Sequence, residues 1–203
     1  MKITPTRESL QILERISNDV FTWHHHHFIM YDIAQQMYPS DYKLNYAEIG
    51  CYAGASACMM LQRPDTKVVS IDLGMIPTEE VLGNVARHNV YNNEFHYITG
   101  NSQDPATIST FLSKMDKIDI LFIDGSHEYD DAIRDFLCYK DFVNSKGFIV
   151  FDDYHDPQYQ VKSAVDYLAM RFSETFRFIG TVENVLNAKG DIPEGNCFIV
   201  EKE

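Results

Sequence analysis

The fold is decided by residues 45–56, which read Asn45-Tyr-Ala-Glu-Ile-Gly-Cys-Tyr-Ala-Gly-Ala-Ser56. An apolar strand runs into a glycine loop with the pattern E-x-G-x-x-x-G-x-S. Dinucleotide-binding folds use G-x-G-x-x-G, whose second glycine lets the backbone approach a pyrophosphate. Tyr52 stands at that second position, whereas a tight turn at Gly50 and close packing at Gly54 remain compatible with the pattern. The segment therefore favours a nucleoside ligand without a pyrophosphate.

Composition narrows the classes of protein that fit. A chain of 203 residues with 45% hydrophobic residues can bury one full core but is too short for two comfortable domains. The formal net charge of −13 disfavours nucleic acid and anionic lipid as partners. The four cysteines lack C-x-x-C spacing, which favours a reducing cytoplasm over a disulfide framework or zinc knuckle. No signal peptide or membrane span is expected, so a small molecule is the default partner.

Apolar periodicity predicts one or two leading helices between Thr6 and Tyr38, with Pro39 ending the run. Strands and helices then alternate. Strands are expected at Leu44–Ile49, Lys67–Asp72, Phe95–Thr99, Ile118–Asp124, Gly147–Phe151, Phe176–Val182 and Asn196–Val200. Helices are expected from about Gly54, within Thr78–Asn89, from about Asp104, over an apolar face of Tyr129, Ala132, Ile133, Phe136 and Leu137, and over a second face of Val161, Ala164, Val165, Leu168 and Phe172.

This order predicts an α/β fold with a Rossmann-like, doubly wound, mostly parallel seven-stranded sheet. The link Asn187–Gly195 has no room for a crossover helix, so the last two strands should form an antiparallel hairpin at one edge. We expect a single domain over residues 1–203, with an N-terminal helical cap at 1–40 and the Rossmann-like core at 44–203.

Polar groups stand at the carboxyl end of each predicted strand, where an open parallel sheet binds its ligands. The acid Asp72 lies ~20 residues past the glycine loop, where an acid commonly accepts ribose hydroxyls. Asn101 and Ser102 follow the third strand and suit a base edge, although an acid or glycine at a strand end also serves simply as a helix cap or turn. The candidate cofactor-binding residues are Glu48, Gly50, Tyr52, Gly54, Ser56, Asp72, Asn101, Ser102 and Asp124.

The succession of E-x-G-x-x-x-G-x-S, Val-Val-Ser-Ile-Asp72, Gly-Asn-Ser102 and Ile-Asp-Gly-Ser-His127 resembles class I S-adenosylmethionine-dependent methyltransferases. The Asp-Gly-x-His-x-Tyr and Phe-Asp-Asp pieces resemble the group of cephalosporin-hydroxylase-like proteins and macrolide-sugar O-methyltransferases. The resemblance covers roughly Leu44 to Val200. It implies an S-adenosyl-L-methionine cofactor and an antiparallel terminal hairpin.

Three aspartates follow the fourth and fifth predicted strands. If those strands are neighbours, ~4.8 Å apart, then Asp124, Asp152 and Asp153 converge beside the cofactor site. An all-oxygen set favours Mg²⁺, with Mn²⁺ or Ca²⁺ as alternatives, and disfavours zinc, which prefers sulfur or imidazole. The resemblance implies that this set binds the metal of an O-methyltransferase, which acidifies and orients the acceptor hydroxyl. The alternative is that Asp152 and Asp153 are solvated loop acids and Asp124 is a metal-free base.

Histidines supply further candidates. Asp124 and His127 are the candidate catalytic groups, and His155 is a second candidate base. The run His24–His27, within a predicted helix after Trp23, either offers imidazoles to the substrate from a helix over the cleft or serves packing and solvent exposure. At ~100° per residue its four rings cannot all bind one ion.

These features predict an S-adenosylmethionine-dependent methyltransferase, metal-assisted, acting on a hydroxyl of a small molecule or sugar. Two alternatives stay open: a catalytically silent cofactor-binding module and, less favoured by Tyr52, a Rossmann-type oxidoreductase. The sequence determines neither the acceptor nor the oligomeric state, for which a homo-oligomer is one option.

Overall fold

The computed structural model describes residues 5–22, 27–181 and 197–203 of the chain. The strands are β1 Leu44–Ile49, β2 Thr66–Asp72, β3 Phe95–Thr99, β4 Ile118–Ile123, β5 Val143–Phe151, β6 Phe176–Thr181 and β7 Phe198–Lys202. The helices are α1 Arg7–Asp19, α2 Phe28–Met37, α3 Ala55–Met60, α4 Thr78–His88, α5 Pro105–Lys114, α6 Tyr129–Tyr139 and α7 Val161–Phe172.

The strands form one seven-stranded sheet in the order β3-β2-β1-β4-β5-β7-β6. The first five are parallel, and β7 pairs antiparallel with both β5 and β6. Two hydrophobic clusters cover the two faces of the sheet, one with α1, α2 and α3 and the other with α5, α6 and α7. The predicted doubly wound fold and its antiparallel terminal strands are confirmed, whereas the link at 182–196 lies outside the described residues.

The sheet register aligns the carboxyl ends of the parallel strands. Ile49 pairs with Ile71 of β2 and with Ile123 of β4, and Ile123 pairs with Phe151 of β5. The next residue of each strand therefore lies at one level of the sheet. Because strand order reverses between β1 and β4, the crevice at this level is where a fold of this type binds ligands.

The buried face of α6 differs from the predicted one. Leu137 is 42% exposed, whereas Asp135 is 1% exposed and shares the inward face with Ala132, Phe136 and Tyr139. These four residues follow the helical spacing i, i+3, i+4, i+7 as well as the predicted apolar set does. The helix is rotated because its inward face borders a cavity that accommodates a carboxyl group.

The leading region contains two separate helices in the described residues. Thr6 caps α1, its side chain accepting a hydrogen bond from the Ser9 backbone N–H at 3.0 Å. His27 immediately precedes α2 rather than lying inside a helix, and residues 23–26 lie outside the described ranges. No helix in the described ranges has the length and apolar character to cross a bilayer.

Candidate functional site

A cavity of about 820 Å³ opens at the carboxyl ends of the parallel strands. Its walls are the segments that follow β1, β2, β3, β4 and β5, and Phe21, Thr22 and His27 close one side from between α1 and α2. The predicted residues Gly50, Tyr52, Ser56, Asp72, Asn101, Ser102, Asp124, His127 and Asp153 all line it. The cavity therefore joins the loop after β1 to the acids after β4 and β5.

The glycine loop depends on left-handed backbone. Gly50 has φ +86°, and a Cβ there would stand 1.9 Å from the carbonyl oxygen of Asp124. Gly54 has φ +89°, but a Cβ there would meet only side chains, the nearest at 3.5 Å. The predicted tight turn at Gly50 is thus present, while Gly54 is required for its backbone conformation and not for close packing. Tyr52, with φ +47°, completes the turn between them.

Asp72 ties the loop to the end of β2. Its Oδ2 accepts hydrogen bonds from the backbone N–H groups of Cys51 and Tyr52, each at 2.9 Å. Its Oδ1 accepts one from the Gly74 N–H at 2.7 Å. The predicted ribose acceptor therefore lines the cavity and also fixes the loop.

Glu48 lies beneath the loop and does not line the cavity. Its fully buried carboxylate accepts hydrogen bonds from the hydroxyls of Ser56 at 2.6 Å, Ser70 at 2.7 Å and Tyr46 at 2.9 Å. Burial raises the pKa of Glu48, and these hydrogen bonds oppose that rise. In place of the predicted direct contact, the structure gives Glu48 a supporting position that orients Ser56 in the cavity wall.

An imidazole and two carboxylates converge at the other end of the cavity. Asp124, His127 and Asp153 each offer one ligand atom, and these atoms lie within 4.8 Å of one another. His127 Nε2 lies 3.0 Å from Asp153 Oδ2 and 3.5 Å from Asp124 Oδ1. The ring of Tyr159 stacks on His127 with centroids 4.2 Å apart. This set has the composition of a divalent-cation site.

Burial and the charges within the cluster shift the pKa values of both Asp124 and His127. Burial raises the pKa of Asp124 to about 8, and the charges of Asp152 and Asp153 act in the same direction. Burial alone would lower the pKa of His127, but Asp124 and Asp153 outweigh it and raise that pKa to about 10. In this arrangement the neighbouring carboxylates therefore favour the protonated form of His127.

Asp152 takes a different position from the one predicted. It is buried behind Asp153 and does not line the cavity, and its Oδ1 accepts a hydrogen bond from the Asp153 backbone N–H at 2.8 Å. The Sγ of Cys197 lies 3.5 Å from the same oxygen. An imidazole replaces the third carboxylate in the convergent set. Zinc was disfavoured because the predicted set was all oxygen, and that reason no longer holds.

His155 is exposed and does not line the cavity. Its ring instead contacts that of Tyr154, with centroids 4.7 Å apart. The structure therefore does not support His155 as a base. Of the histidine run, His27 alone is described; it is buried in the cavity wall, and its Nε2 lies 2.8 Å from the Thr22 hydroxyl.

A hydrogen-bonded acid supports the cavity wall after β3. Asp135 Oδ1 accepts hydrogen bonds from the hydroxyl of Ser102 at 2.6 Å and the amide of Gln103 at 3.4 Å. The Tyr139 hydroxyl donates to the Ser102 carbonyl oxygen at 2.8 Å. Asn101 is exposed and folds back on its own loop, accepting from the Gln103 N–H at 2.9 Å.

Burial raises the pKa of Asp135 to about 6, with the charge of Asp131 adding to the rise and the Ser102 and Gln103 hydrogen bonds opposing it. A carboxyl group whose pKa is higher when folded loses stability as pH rises from its unfolded pKa through its folded one. The rise from 3.8 to about 6 corresponds to about 3 kcal/mol. Relative to Asp135→Asn, the wild type should therefore lose up to about 3 kcal/mol of unfolding free energy between pH 4 and pH 7.

Urea unfolding of both proteins at pH 4, 5, 6 and 7 measures this difference. Carboxyl groups that do not interact with Asp135 titrate equally in the two proteins, so the difference reports Asp135 and its coupling to Asp131. Curves that stay parallel across this range would contradict the raised pKa.

Several lining residues were not among the site residues predicted from the sequence, including Gln103, Asp131, Asp135 and Tyr159. An acid amid apolar helix positions marks Asp135, because a buried face rarely carries a carboxyl group without a partner or function. Gln103 stands beside predicted Ser102 and was recognisable by position. Tyr159 lies on the connection after β5 and carried no pattern that would identify it.

Comparison with known proteins gives the family. A family model described as a methyltransferase domain matches residues 47–154, just over half of the chain. Uncharacterized protein R132 of Acanthamoeba polyphaga mimivirus is 36% identical over 150 residues, which are 71% of this chain and 67% of that protein.

Solved structures agree with the fold. An O-methyltransferase from Bacillus cereus, in complex with S-adenosylhomocysteine (SAH), has a TM-score of 0.68 and 14% identity, covering 99% of this chain and 93% of that one. The methyltransferase MycE of mycinamycin biosynthesis, in complex with Mg and SAH, has a TM-score of 0.64 and 18% identity, covering 97% of this chain and 55% of MycE. The chain thus belongs to the methyltransferase-domain family and has the fold of the class I S-adenosylmethionine-dependent methyltransferases.

Proposed function

We propose that this protein is an S-adenosylmethionine-dependent O-methyltransferase that uses a divalent cation and acts on a hydroxyl of a small molecule or sugar. The observation that carries the proposal is the convergence of Asp124, His127 and Asp153 in the same cavity as the Gly50–Gly54 loop. Methyl transfer to a hydroxyl needs an oxygen that is at least partly deprotonated and held in line. A cation-binding cluster beside a nucleoside-type loop supplies both requirements.

The cofactor end of the cavity fits S-adenosylmethionine. The volume of about 820 Å³ lies within the range of small-molecule sites. The bare backbone at Gly50 and the hydroxyl of Ser56 line its wall, with Asp72 at the ribose position and Ser102 on the way to the base. When bound, the cofactor supplies a methyl group on a sulfonium. The SAH complexes of the Bacillus cereus enzyme and of MycE support this assignment by likeness of fold.

The opposite end fits a cation. Asp124 and Asp153 would hold it, with His127 as third ligand or Asp152 after a local adjustment. Mg²⁺ is the first choice because two of the three groups are carboxylates, and the complex of MycE with Mg supports it. When bound, the cation lowers the pKa of the acceptor hydroxyl and orients its oxygen.

Side chains of the protein would then contact the acceptor and take up its proton. If Asp152 and not His127 completes the ligand set, a bound cation would offset the charges of Asp124 and Asp153, which raise the pKa of His127, and the imidazole would then be available as a base. Tyr159 and Phe21, half exposed at the cavity mouth, offer aromatic faces to a ring or to the apolar face of a sugar. The MycE complex that contains mycinamycin VI supports an acceptor of the small-molecule class.

Ligand-induced thermal shift tests the proposal. SAH at a hundredfold excess over its Kd should stabilise the protein by about 2.7 kcal/mol, or roughly 5–10 °C for a chain of this size, while NAD⁺ should have no effect. Methyl transfer from radiolabelled S-adenosylmethionine to a panel of catechols, flavonoids and glycosides, with and without Mg²⁺, then tests catalysis. Stabilisation by NAD⁺ and not SAH would indicate an oxidoreductase. SAH binding without transfer to any panel member would favour the silent binding module.

A further inference from the structure

An aromatic ring stands beside the cation-binding cluster, at the end of the cavity where the acceptor would bind. Tyr159 lines the cavity and is 41% exposed. Its ring stacks on the imidazole of His127, with the two ring planes inclined by 23°. The Tyr159 N–H donates to the Asp156 carbonyl oxygen at 3.2 Å, and the next N–H along the chain donates to the His127 carbonyl oxygen at 2.9 Å. The ring is therefore held in place and keeps surface for a ligand.

Carboxylates surround the ring of Tyr159. Partial burial raises the pKa of its hydroxyl, and the charges of Asp153, Asp156 and Asp124 raise it further. These charges come from two loops, the one after β4 and the one after β5. An aromatic face within the field of several carboxylates attracts a cation and repels an anion.

The charge of the whole wall has the same sign. Asp72, Asp131 and Asp135 line other parts of the cavity, so five of its described residues carry a carboxyl group, and no lysine or arginine is among them. S-adenosylmethionine would bring one net positive charge and a divalent cation two. Even with a proton on His127, these positive charges are fewer than the carboxylates. The acceptor therefore meets a wall that remains negative.

We infer that the acceptor carries a protonated amino group that lies against Tyr159, and that acceptors with a phosphate or carboxylate near the reacting hydroxyl bind poorly. The inference rests on the proposed function, because it narrows the acceptor class of the same site. Amino sugars and hydroxylated arylalkylamines carry both a hydroxyl and a protonated amine. Nucleotide-activated sugars and coenzyme A esters carry phosphates and belong to the disfavoured class.

Two series of probes, each matched in scaffold and varied in charge, test this inference. The catechol series is dopamine, 4-ethylcatechol and 3,4-dihydroxyphenylacetate, and the sugar series is the methyl glycosides of glucosamine, glucose and glucuronic acid. Each probe is titrated calorimetrically into the wild-type complex with SAH and Mg²⁺. In at least one series the amine should have a Kd ~10-fold lower than the neutral probe, and the carboxylate a Kd ~10-fold higher. The series that shows this order identifies the scaffold.

Asp156→Asn tests the position of the amino group. Asparagine keeps an oxygen that can accept the hydrogen bond from the Gln158 N–H, which is 2.8 Å long, but it removes the charge. The ratio of the carboxylate Kd to the amine Kd should fall by ~3-fold or more. Asp131→Asn is the matched control, because it removes an equal charge from the wall on α6, and it should keep this ratio within ~2-fold of wild type.

Replacement of the ring gives a second, independent readout. Tyr159→Leu should reduce the preference for the amine over the neutral probe by ~3-fold, whereas Tyr159→Phe, which keeps an aromatic face, should retain it. Equal falls in Asp156→Asn and Asp131→Asn would overturn the placement of the amine beside Tyr159. SAH binding combined with Kd values that do not depend on probe charge, or with no probe bound at ~10 mM, would overturn the inference alone. Wild-type protein that does not bind SAH would refute the proposed function, and the inference with it.

Discussion

Alanine at Gly50 is expected to abolish the native fold. The added Cβ would stand 1.9 Å from the carbonyl oxygen of Asp124 and 2.5 Å from its carbonyl carbon, both backbone atoms. These atoms cannot move away cheaply, because the Asp124 N–H donates to the Ile49 carbonyl and the Gly50 N–H to the Ile71 carbonyl, each at 2.8 Å. The left-handed φ of +86° adds about 1–2 kcal/mol. The total should exceed about 5 kcal/mol, which is the whole stability of many domains.

Two other glycines provide controls. Gly54→Ala meets only the left-handed penalty, since its Cβ would make ordinary side-chain contacts, and should cost about 1–2 kcal/mol. Gly83→Ala lies inside α4 with open space around its Cβ and should be neutral or stabilise by up to about 1 kcal/mol. Circular dichroism and urea unfolding measure all three. A Gly50→Ala protein within about 2 kcal/mol of wild type would contradict the close approach of β1 and β4.

Asp124→Asn should remove the divalent cation and, with it, methyl transfer. Asp124 lies between the cofactor loop and Asp153, so its carboxylate would serve both as ligand and as the charge nearest the acceptor oxygen. We expect Mg²⁺ affinity in the presence of SAH to fall by at least ~100-fold, and turnover of an identified acceptor by ~10³-fold or more. Calorimetric titration of Mg²⁺ into the SAH complex measures the first, and radiolabel transfer measures the second.

This variant should keep its fold. Burial raises the pKa of Asp124 because a buried charge is unfavourable, and a neutral asparagine does not carry that cost. Asp131→Asn removes an equal charge from the same cavity and should leave Mg²⁺ binding within about threefold of wild type. An equal loss of Mg²⁺ affinity in both variants would show that the effect comes from the net charge of the cavity and not from a ligand role of Asp124. Parallel titrations of Asp152→Ala and His127→Ala identify the third ligand, and unchanged Mg²⁺ binding in Asp124→Asn would remove the metal from the proposal.

Strand positions followed closely from the sequence because apolar segments stop at polar residues, most clearly at β4, which is buried along its whole length. The bounds of β1 and β3 agree with their predicted ranges, and β4 ends one residue before its predicted end. Which face of a helix is buried was harder to predict from the sequence. On α6 two overlapping sets of residues satisfy the same spacing, and only packing against the cavity selects the one that contains Asp135.

The site was predictable as a set of strand ends but not in its details. Asp152 and Asp153 are adjacent in sequence, and strand alternation alone gives no reason to prefer one as a ligand. The structure turns Asp153 into the cavity because its backbone is left-handed, with φ +54°, immediately after β5 ends. The buried position of Glu48 could not be predicted either. Its carboxylate accepts hydrogen bonds beneath the loop from three hydroxyls on separate segments of the chain, which only the folded structure brings together.

The strand order has a consequence for synthesis on the ribosome. β6 precedes β7 in the chain, yet among the described residues β6 pairs with β7 alone, and β7 lies between it and β5. A nascent chain that has emerged as far as Thr181 therefore carries three unpaired strand edges: the outer edge of β5 and both edges of β6. Such edges are templates for pairing with other chains. The polypeptide is therefore expected to be prone to aggregation until Phe198–Lys202 has been synthesised and has paired with β5 and β6.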